Sequence, residues 1–210
     1  MRWTIPNILT VLRLLAAPGV ALAFVLLPRP AADWVSVVLF VVAALTDYID
    51  GRLARAWKQE SNFGRMLDPI ADKAMVVIAL AVIVGISRVN PYILFPVAFI
   101  LLREVFVSGL REFLGSEAST LKVTYLAKWK TTAQMVAIPV LLIAGALEFE
   151  ARHGMFWVSP SFHASTEWLF STAGIVLIWA AGLLTVLTGL EYVKDAWVLR
   201  RDALAAQRGA

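Results

Sequence analysis

Six stretches of about twenty mostly apolar residues set what this chain can fold into. They run at roughly 8–27, 33–55, 66–87, 92–114, 128–147 and 168–193. Each is long enough to cross the hydrocarbon core of a bilayer, about 30 Å thick, as an α-helix. Inside lipid every backbone polar group must be paired within its own segment, which favours helices. We therefore predict an all-α polytopic membrane protein, a single domain over residues 1–210 with six transmembrane helices and a short N-terminal interfacial segment, Met1–Pro6.

Composition narrows the class of protein further. Hydrophobic residues make up 60% of the 210 residues and charged residues only 16%, too few to cover a soluble domain or to keep a chain disordered. The chain has no Cys, which excludes disulfides, a thiolate nucleophile and a zinc site built on Cys. The modest net charge of +4 indicates loop orientation and anionic lipid rather than nucleic acid as a partner.

The distribution of Lys and Arg predicts the orientation of the helices. Six spans leave both termini on one side, and the segments on that side, counted together with the helix ends that lead into them, carry thirteen of the nineteen Lys and Arg residues. The opposite loops carry three, at Arg29, Arg88 and Arg152, and the remaining three lie deeper within the spans. Because loops rich in Lys and Arg stay in the cytoplasm, both termini are expected to face the cytoplasm from the inner membrane of the cell.

The longest loop on the outer side, at about 148–167, carries both histidines of the chain, His153 and His163. Paired histidines can bind a metal ion, but histidines in a loop are usually solvated, and we favour that interpretation. The sequence assigns no other role to this loop.

Four aspartates form the most informative pattern in the chain: Asp47, Asp50, Asp68 and Asp72. The first two are three residues apart and the last two are four apart, so each pair shares one face of its helix. The connection between the two helices is short, and we expect them to be antiparallel neighbours. All four carboxylates then converge at the cytoplasmic end of the bundle.

Clustered carboxylates at a membrane surface need a cation. They are costly near a bilayer unless paired, and a divalent ion relieves their mutual repulsion. Oxygen ligands favour Mg²⁺, Mn²⁺ or Ca²⁺ over zinc, and four carboxylates suit a two-metal site for displacement at phosphorus. Three small residues leave room for a ligand: Gly51, Ala54 and Gly64. Arg55 lies near the same face, and its guanidinium suits phosphate. The alternative is solvated aspartates paired with nearby cations, Arg52, Lys58 and Arg65.

The spacing of these residues resembles a known family. The segment reads Asp47-x2-Asp50-Gly51-x2-Ala54-Arg55-x8-Gly64-x3-Asp68-x3-Asp72, which matches the signature of the CDP-alcohol phosphotransferases at every fixed position. The resemblance implies a six-helix integral membrane enzyme, usually a homodimer. Such an enzyme transfers a phosphatidyl group from CDP-diacylglycerol to an alcohol and releases CMP.

Further segments are similar to one branch of that family, the bacterial phosphatidylglycerophosphate synthases. They are Ile5–Thr10 with Arg13, Arg103-Glu104, Ser108–Glu112 and Lys128–Met135. This similarity implies glycerol 3-phosphate as the acceptor. The alternatives are the same fold with inositol phosphate, serine or phosphatidylglycerol as acceptor, or a divalent-cation carrier that uses the aspartates as its ion site.

The resemblance also implies roles for individual residues. The four aspartates would bind Mg²⁺ or Mn²⁺, and Asp72, the deepest along its helix, would also take the proton of the acceptor hydroxyl. The residues that would hold CDP-diacylglycerol are Asn7, Thr10, Gly51, Ala54, Arg55, Ser61 and Gly64.

The acceptor phosphate is a dianion and needs fixed positive charge. The candidates on the fourth and fifth helices are Arg103, Arg111, Lys128 and Lys130. The alternative is that these cations only anchor the helices at the membrane surface, and that Arg103 is paired with Glu104 or Glu112.

Overall fold

A computed structural model describes residues 5–57, 62–115, 125–155 and 158–208, without some side chains in these ranges, chiefly those at 50–57 and 202–208. Within these ranges six helices follow one another: α1 Ile5–Leu26, α2 Ala31–Trp57, α3 Asn62–Ile86, α4 Pro91–Leu114, α5 Tyr125–Arg152 and α6 Pro160–Arg208. No strand occurs in the described part of the chain. The structure confirms the predicted fold class, an all-helical polytopic membrane protein.

Five of the six helices are long and apolar enough to cross a membrane when only described residues are considered. These five are α1, α3, α4, α5 and α6. In α2 the described side chains run without a gap only from Ala31 to Asp47, so its span stays a prediction. The α6 helix is longer than predicted. Its 49 residues correspond to about 74 Å, well beyond the thickness of a bilayer.

Short turns at one end of the bundle fix the helix directions. Four residues, 27–30, join α1 to α2, and another four, 87–90, join α3 to α4. The Asn90 side chain accepts a hydrogen bond from the Tyr92 N–H at 3.0 Å, and Pro91 follows as the first residue of α4, where no N–H donor is needed. The start of α1, the end of α2 and the start of α3 therefore lie together at the opposite end.

The α1 helix packs against both α2 and α3, while α5 packs against α6, α2 and α3. Large apolar side chains fill the space between them, among them Phe40, Leu80, Ile83, Ile138, Leu142 and Ile178. The sequence predicted that α2 and α3 are antiparallel neighbours. Among the described residues, both helices pack mainly against α1 and α5. The α1 helix therefore contacts both aspartate-bearing helices.

A charged cluster ties together the end of the bundle at which α1 joins α2. The Arg29 guanidinium donates to both carboxylate oxygens of Asp33, at 2.7 and 2.5 Å, and to the Gly145 carbonyl at 2.9 Å. It also lies 4.6 Å from the centre of the Phe149 ring. Asp33 is fully buried, so Arg29 supplies the charge that this carboxylate requires.

The predicted outer loop at 148–167 is mostly helix, because α5 continues to Arg152 and α6 begins at Pro160. The expectation that both histidines are solvated is wrong for His163. Its ring is buried, with Nε2 3.0 Å from the Leu147 carbonyl oxygen. His153 is exposed and stacks on Phe149, with ring centroids 4.0 Å apart. The two histidines therefore have different surroundings.

Candidate active site

Three of the four predicted aspartates are described, and two of them meet at one atom. Nη1 of Arg13, on α1, lies 2.6 Å from Oδ1 of Asp47 on α2 and 2.7 Å from Oδ1 of Asp72 on α3. The Arg13 side chain is 2% exposed, whereas the two carboxylates are 45% and 49% exposed. A buried guanidinium thus holds two half-exposed carboxylates that come from different helices.

The third aspartate is held by the same helix. The Thr10 hydroxyl on α1 donates to Oδ1 of Asp68 on α3 at 2.6 Å. Thr10 and its neighbour one turn earlier, Asn7, are both buried. The residues predicted to contact the donor nucleotide at the start of α1 therefore lie beside the aspartate cluster.

Several predicted donor residues fall at the edge of the described part of the chain. Asp50, Gly51, Ala54 and Arg55 belong to α2, but their side chains lie outside the described residues. Ser61 lies outside them altogether, and Gly64 is buried in the first turn of α3. Pro69 sits within α3, so this helix begins before Asp68.

The donor atoms fit a hard divalent cation. Carboxylate oxygens are the ligands that Mg²⁺ and Mn²⁺ prefer. One carboxylate oxygen from α2 and one from α3 already contact the same cationic nitrogen of Arg13. Among the described residues, no three His, Cys, Asp or Glu side chains form a metal-binding group on their own. Asp50, the remaining predicted ligand, is not among those side chains.

A small cavity of about 130 Å³ opens beside the two carboxylates that share Arg13. It is lined by Arg13, Asp47 and Asp72, and by apolar residues of α2, α3 and α5. Thr131 on α5 closes one side of it. The cavity gives Asp72 a space in which a reacting group can be placed.

A second, larger cavity of about 450 Å³ is basic. All four cations predicted to bind the acceptor phosphate line it: Arg103, Arg111, Lys128 and Lys130. Thr131 lines it as well, so the basic cavity and the aspartate cavity share a wall. The structure brings together residues from the end of α4 and the start of α5 that are distant in sequence.

Contacts beside the basic cavity connect α4 and α5. Glu104 on α4 accepts from Lys130 on α5, and its carboxylate lies 3.4 Å from Nη1 of Arg103, one of the two partners that the sequence offers for Arg103. Nε of Arg103 is buried and has no hydrogen-bond partner among the described residues. A donor left unpaired beside a cavity is costly unless a ligand or water pairs it, which favours an anion there.

Two further contacts join α4 to α3 and to α6. Lys73, next to Asp72 in the chain, donates to the Ser108 hydroxyl on α4. Nε of Arg111 donates to the Tyr192 hydroxyl on α6 at 3.2 Å, and the guanidinium lies 5.5 Å from the centre of that ring. Arg111 is therefore held by α6 at the mouth of the cavity.

Sequence reasoning assigned no site role to Arg13, Thr131 or Tyr192. Arg13 carried a usable signal, because an arginine inside a transmembrane stretch needs a buried partner. Its partners were not readable, since Asp72 is 59 residues away in the chain. Thr131 was marked only as part of the segment Lys128–Met135, and Tyr192 carries no charge or spacing that would distinguish it from other polar residues near a helix end.

Comparison with known proteins agrees with the motif. The family model described as CDP-alcohol phosphatidyltransferase matches residues 3–187. A Cereibacter sphaeroides protein named CDP-diacylglycerol–glycerol-3-phosphate 3-phosphatidyltransferase is 55% identical, over 96% of this chain and 99% of its own. Proteins of the same name from Haemophilus influenzae and Yersinia enterocolitica are 34% and 37% identical, over 93% and 94% of this chain and 95% and 97% of theirs. The chain therefore belongs to the CDP-alcohol phosphatidyltransferase family.

Proposed function

We propose that the protein transfers a phosphatidyl group from CDP-diacylglycerol to glycerol 3-phosphate, giving phosphatidylglycerol phosphate and CMP. The observation that carries this proposal is the pair of adjoining cavities that share Thr131, one beside the aspartates and one lined by cations. The names of the three relatives state the same donor, acceptor and transferred group. The reaction requires a nucleotide diphosphate and an alcohol phosphate side by side, and the two cavities offer that placement.

The aspartate cluster is proposed to hold the donor. The family generally uses divalent metal ions. We propose Mg²⁺ or Mn²⁺, held by Asp47, Asp50, Asp68 and Asp72. Two such ions, when bound, neutralise the diphosphate and the leaving CMP. From the family motif, the residues that contact the nucleotide and diphosphate are Asn7, Thr10, Gly51, Ala54, Arg55, Ser61 and Gly64.

Asp72 is proposed as the general base. An alcohol is a poor nucleophile at neutral pH, and a carboxylate within hydrogen-bonding reach can take its proton during attack. The hydroxyl oxygen of the acceptor then bonds to the phosphatidyl phosphorus while the bond from that phosphorus to CMP breaks. Asp72 is half-exposed and lines the cavity that adjoins the basic cavity, so it can reach a hydroxyl presented from there.

The basic cavity is proposed to bind the acceptor phosphate. Its cations differ in burial: Lys130 is buried, whereas Arg111 and Lys128 are exposed. A charge-assisted hydrogen bond is stronger where water is excluded, so we assign Lys130 and Arg103 the largest contributions. Arg111 and Lys128 would attract the dianion at the mouth of the cavity.

We propose that this end of the bundle faces the cytoplasm from the inner membrane, with both termini on that side. The support is the excess of Lys and Arg in the segments at that end. The acyl chains of the donor would remain in the lipid of the inner leaflet, and the soluble acceptor would enter from the cytoplasm. A homodimer is implied by the family resemblance and stays a prediction.

An acceptor panel tests the proposal. Purified protein with CDP-diacylglycerol and Mg²⁺ is offered glycerol 3-phosphate, inositol phosphate, serine or phosphatidylglycerol, and CMP release and the lipid product are measured. We expect rapid CMP release only with glycerol 3-phosphate. Equal or faster release with another acceptor would contradict the assignment. Uptake of Mn²⁺ into vesicles without any CMP release would instead favour the cation carrier.

A further inference from the structure

We propose that Thr10 and Arg13 are positioning residues that hold one oxygen of each of three aspartates and so preset the cation site. This inference rests on the proposed function, because it assigns the aspartates to cation binding. It adds a role for α1, whose polar residues the motif connects only with the nucleotide.

The buried face of α1 provides the first observation. Asn7, Thr10 and Arg13 are spaced by three residues, so they follow one face of the helix. The exposed fractions of the whole residues are only 5%, 2% and 3%. Polar side chains are rarely buried in an apolar helix unless they bind specific partners. For Thr10 and Arg13 the partners are aspartates of α2 and α3, the two helices against which α1 packs.

The choice of atoms provides the second observation. Arg13 contacts Oδ1 of Asp47 and Oδ1 of Asp72, and Thr10 contacts Oδ1 of Asp68. A carboxylate that gives one oxygen to a donor keeps a second oxygen with which it can bind a cation. The two carboxylates at Arg13 are about half-exposed while Arg13 is buried, so a cation from solution can reach the carboxylates.

Positioning has a physical benefit here. Carboxylates that bind metals are themselves usually held by hydrogen bonds, and removing such a donor typically weakens metal affinity 10- to 100-fold. The Arg13 charge also lowers the repulsion between Asp47 and Asp72, which lets helices α2 and α3 bring them together.

Arg13 could have the opposite role and compete with the cation. It would then occupy the carboxylates and have to leave before a cation binds. The two roles predict opposite signs. Loss of a positioning residue weakens cation binding, whereas loss of a competing positive charge strengthens it. Thr10 has no charge, so its removal tests positioning without this complication.

Mn²⁺ binding to the purified full-length protein, without nucleotide or acceptor, is the test. Free Mn²⁺ is counted from its electron paramagnetic resonance signal, and thermal unfolding reports whether each variant is folded. The variants are Thr10→Val, Thr10→Ser and Arg13→Met. The matched controls are Thr185→Val, a buried threonine whose hydroxyl donates within α6, and Arg29→Met, which removes the arginine paired with a buried aspartate at the end where α1 joins α2.

We expect Thr10→Val and Arg13→Met to weaken Mn²⁺ binding by about 10-fold or more, and Thr10→Ser, which keeps the hydroxyl, to bind within about threefold of the wild type. Both controls should keep wild-type affinity even where they unfold at lower temperature. Unchanged affinity in Thr10→Val, or tighter binding in Arg13→Met, would overturn the proposal.

The Thr10 pair keeps the test decisive should Arg13→Met not fold, because it removes only one hydroxyl. A wild-type protein that binds no Mn²⁺ and releases no CMP would instead refute the proposed function itself.

Discussion

Substitution of Lys130 by Met tests the basic cavity most directly. Lys130 is 4% exposed, lines the cavity and donates to Glu104 on the neighbouring helix. A hydrogen bond to a charged group contributes about 1.5–3 kcal/mol, which corresponds to about 10- to 100-fold in an equilibrium or a rate. We therefore expect kcat/KM for glycerol 3-phosphate to fall by about that factor, while the KM for CDP-diacylglycerol stays unchanged.

Initial rates of CMP release, with each substrate varied in turn, measure both constants. Lys194→Met, which changes an exposed lysine on α6 outside the cavity lining, is the matched control and should leave both unchanged. The double variant Glu104→Gln/Lys130→Met separates direct binding from charge balance. Since Lys130 is proposed to bind the phosphate itself, the double variant should stay as impaired as Lys130→Met. Recovery of kcat/KM for glycerol 3-phosphate in the double variant would show that Lys130 only neutralises Glu104 and does not bind the phosphate.

Two predictions concern stability and are checked by thermal or denaturant unfolding in detergent. Arg29→Met should lower the free energy of unfolding by about 3–5 kcal/mol, because it leaves the fully buried Asp33 without its partner. Asp33→Asn should lower the free energy of unfolding by less, because the Arg29 left without a partner is 26% exposed. The reverse order of the two effects would contradict the ion-pair explanation. Gly174→Ala should destabilise by about 1–3 kcal/mol, because the added Cβ would lie 2.6 Å from the Leu141 side chain. The Cβ added by Gly85→Ala would have no atom within 4 Å, so this substitution should raise the free energy of unfolding by about 0.5–1 kcal/mol. Equal effects of the two substitutions would exclude packing as the cause.

The parts of the fold that the sequence predicts well are those that depend on local pattern. Apolar length located all six helices, and three- and four-residue spacing placed each aspartate pair on one helix face. The loop at 148–167 was predicted poorly because its polar residues resemble a connection, although His163 is buried in α6 against the Leu147 carbonyl. Hydropathy reports where lipid is, and a helix continues beyond lipid wherever neighbouring helices pack against it.

Contacts between helices are the part of the site that sequence pattern does not give. The sequence identified the cations of the basic cavity by charge. That Thr131 lines both cavities depends on how α5 lies between α3 and the residues of α4. The sequence also placed Arg13 in a segment similar to one branch of the family without assigning its partners. The Thr10–Asp68 and Arg13–Asp72 contacts each join residues almost sixty positions apart, and only the packing of α1 against α3 brings them together.

We propose that the lipid-linked nucleotide is cleaved at the aspartate cluster. CMP release by the wild type and by Asp72→Asn tests this assignment. With CDP-diacylglycerol, glycerol 3-phosphate and Mg²⁺, we expect the wild type to release CMP, and a chelator to abolish the release. Asp72→Asn should lose about 10²- to 10⁴-fold in rate, the usual contribution of a general base. An Asp72→Asn protein that is as active as the wild type, or a wild type that is indifferent to the chelator, would contradict the account.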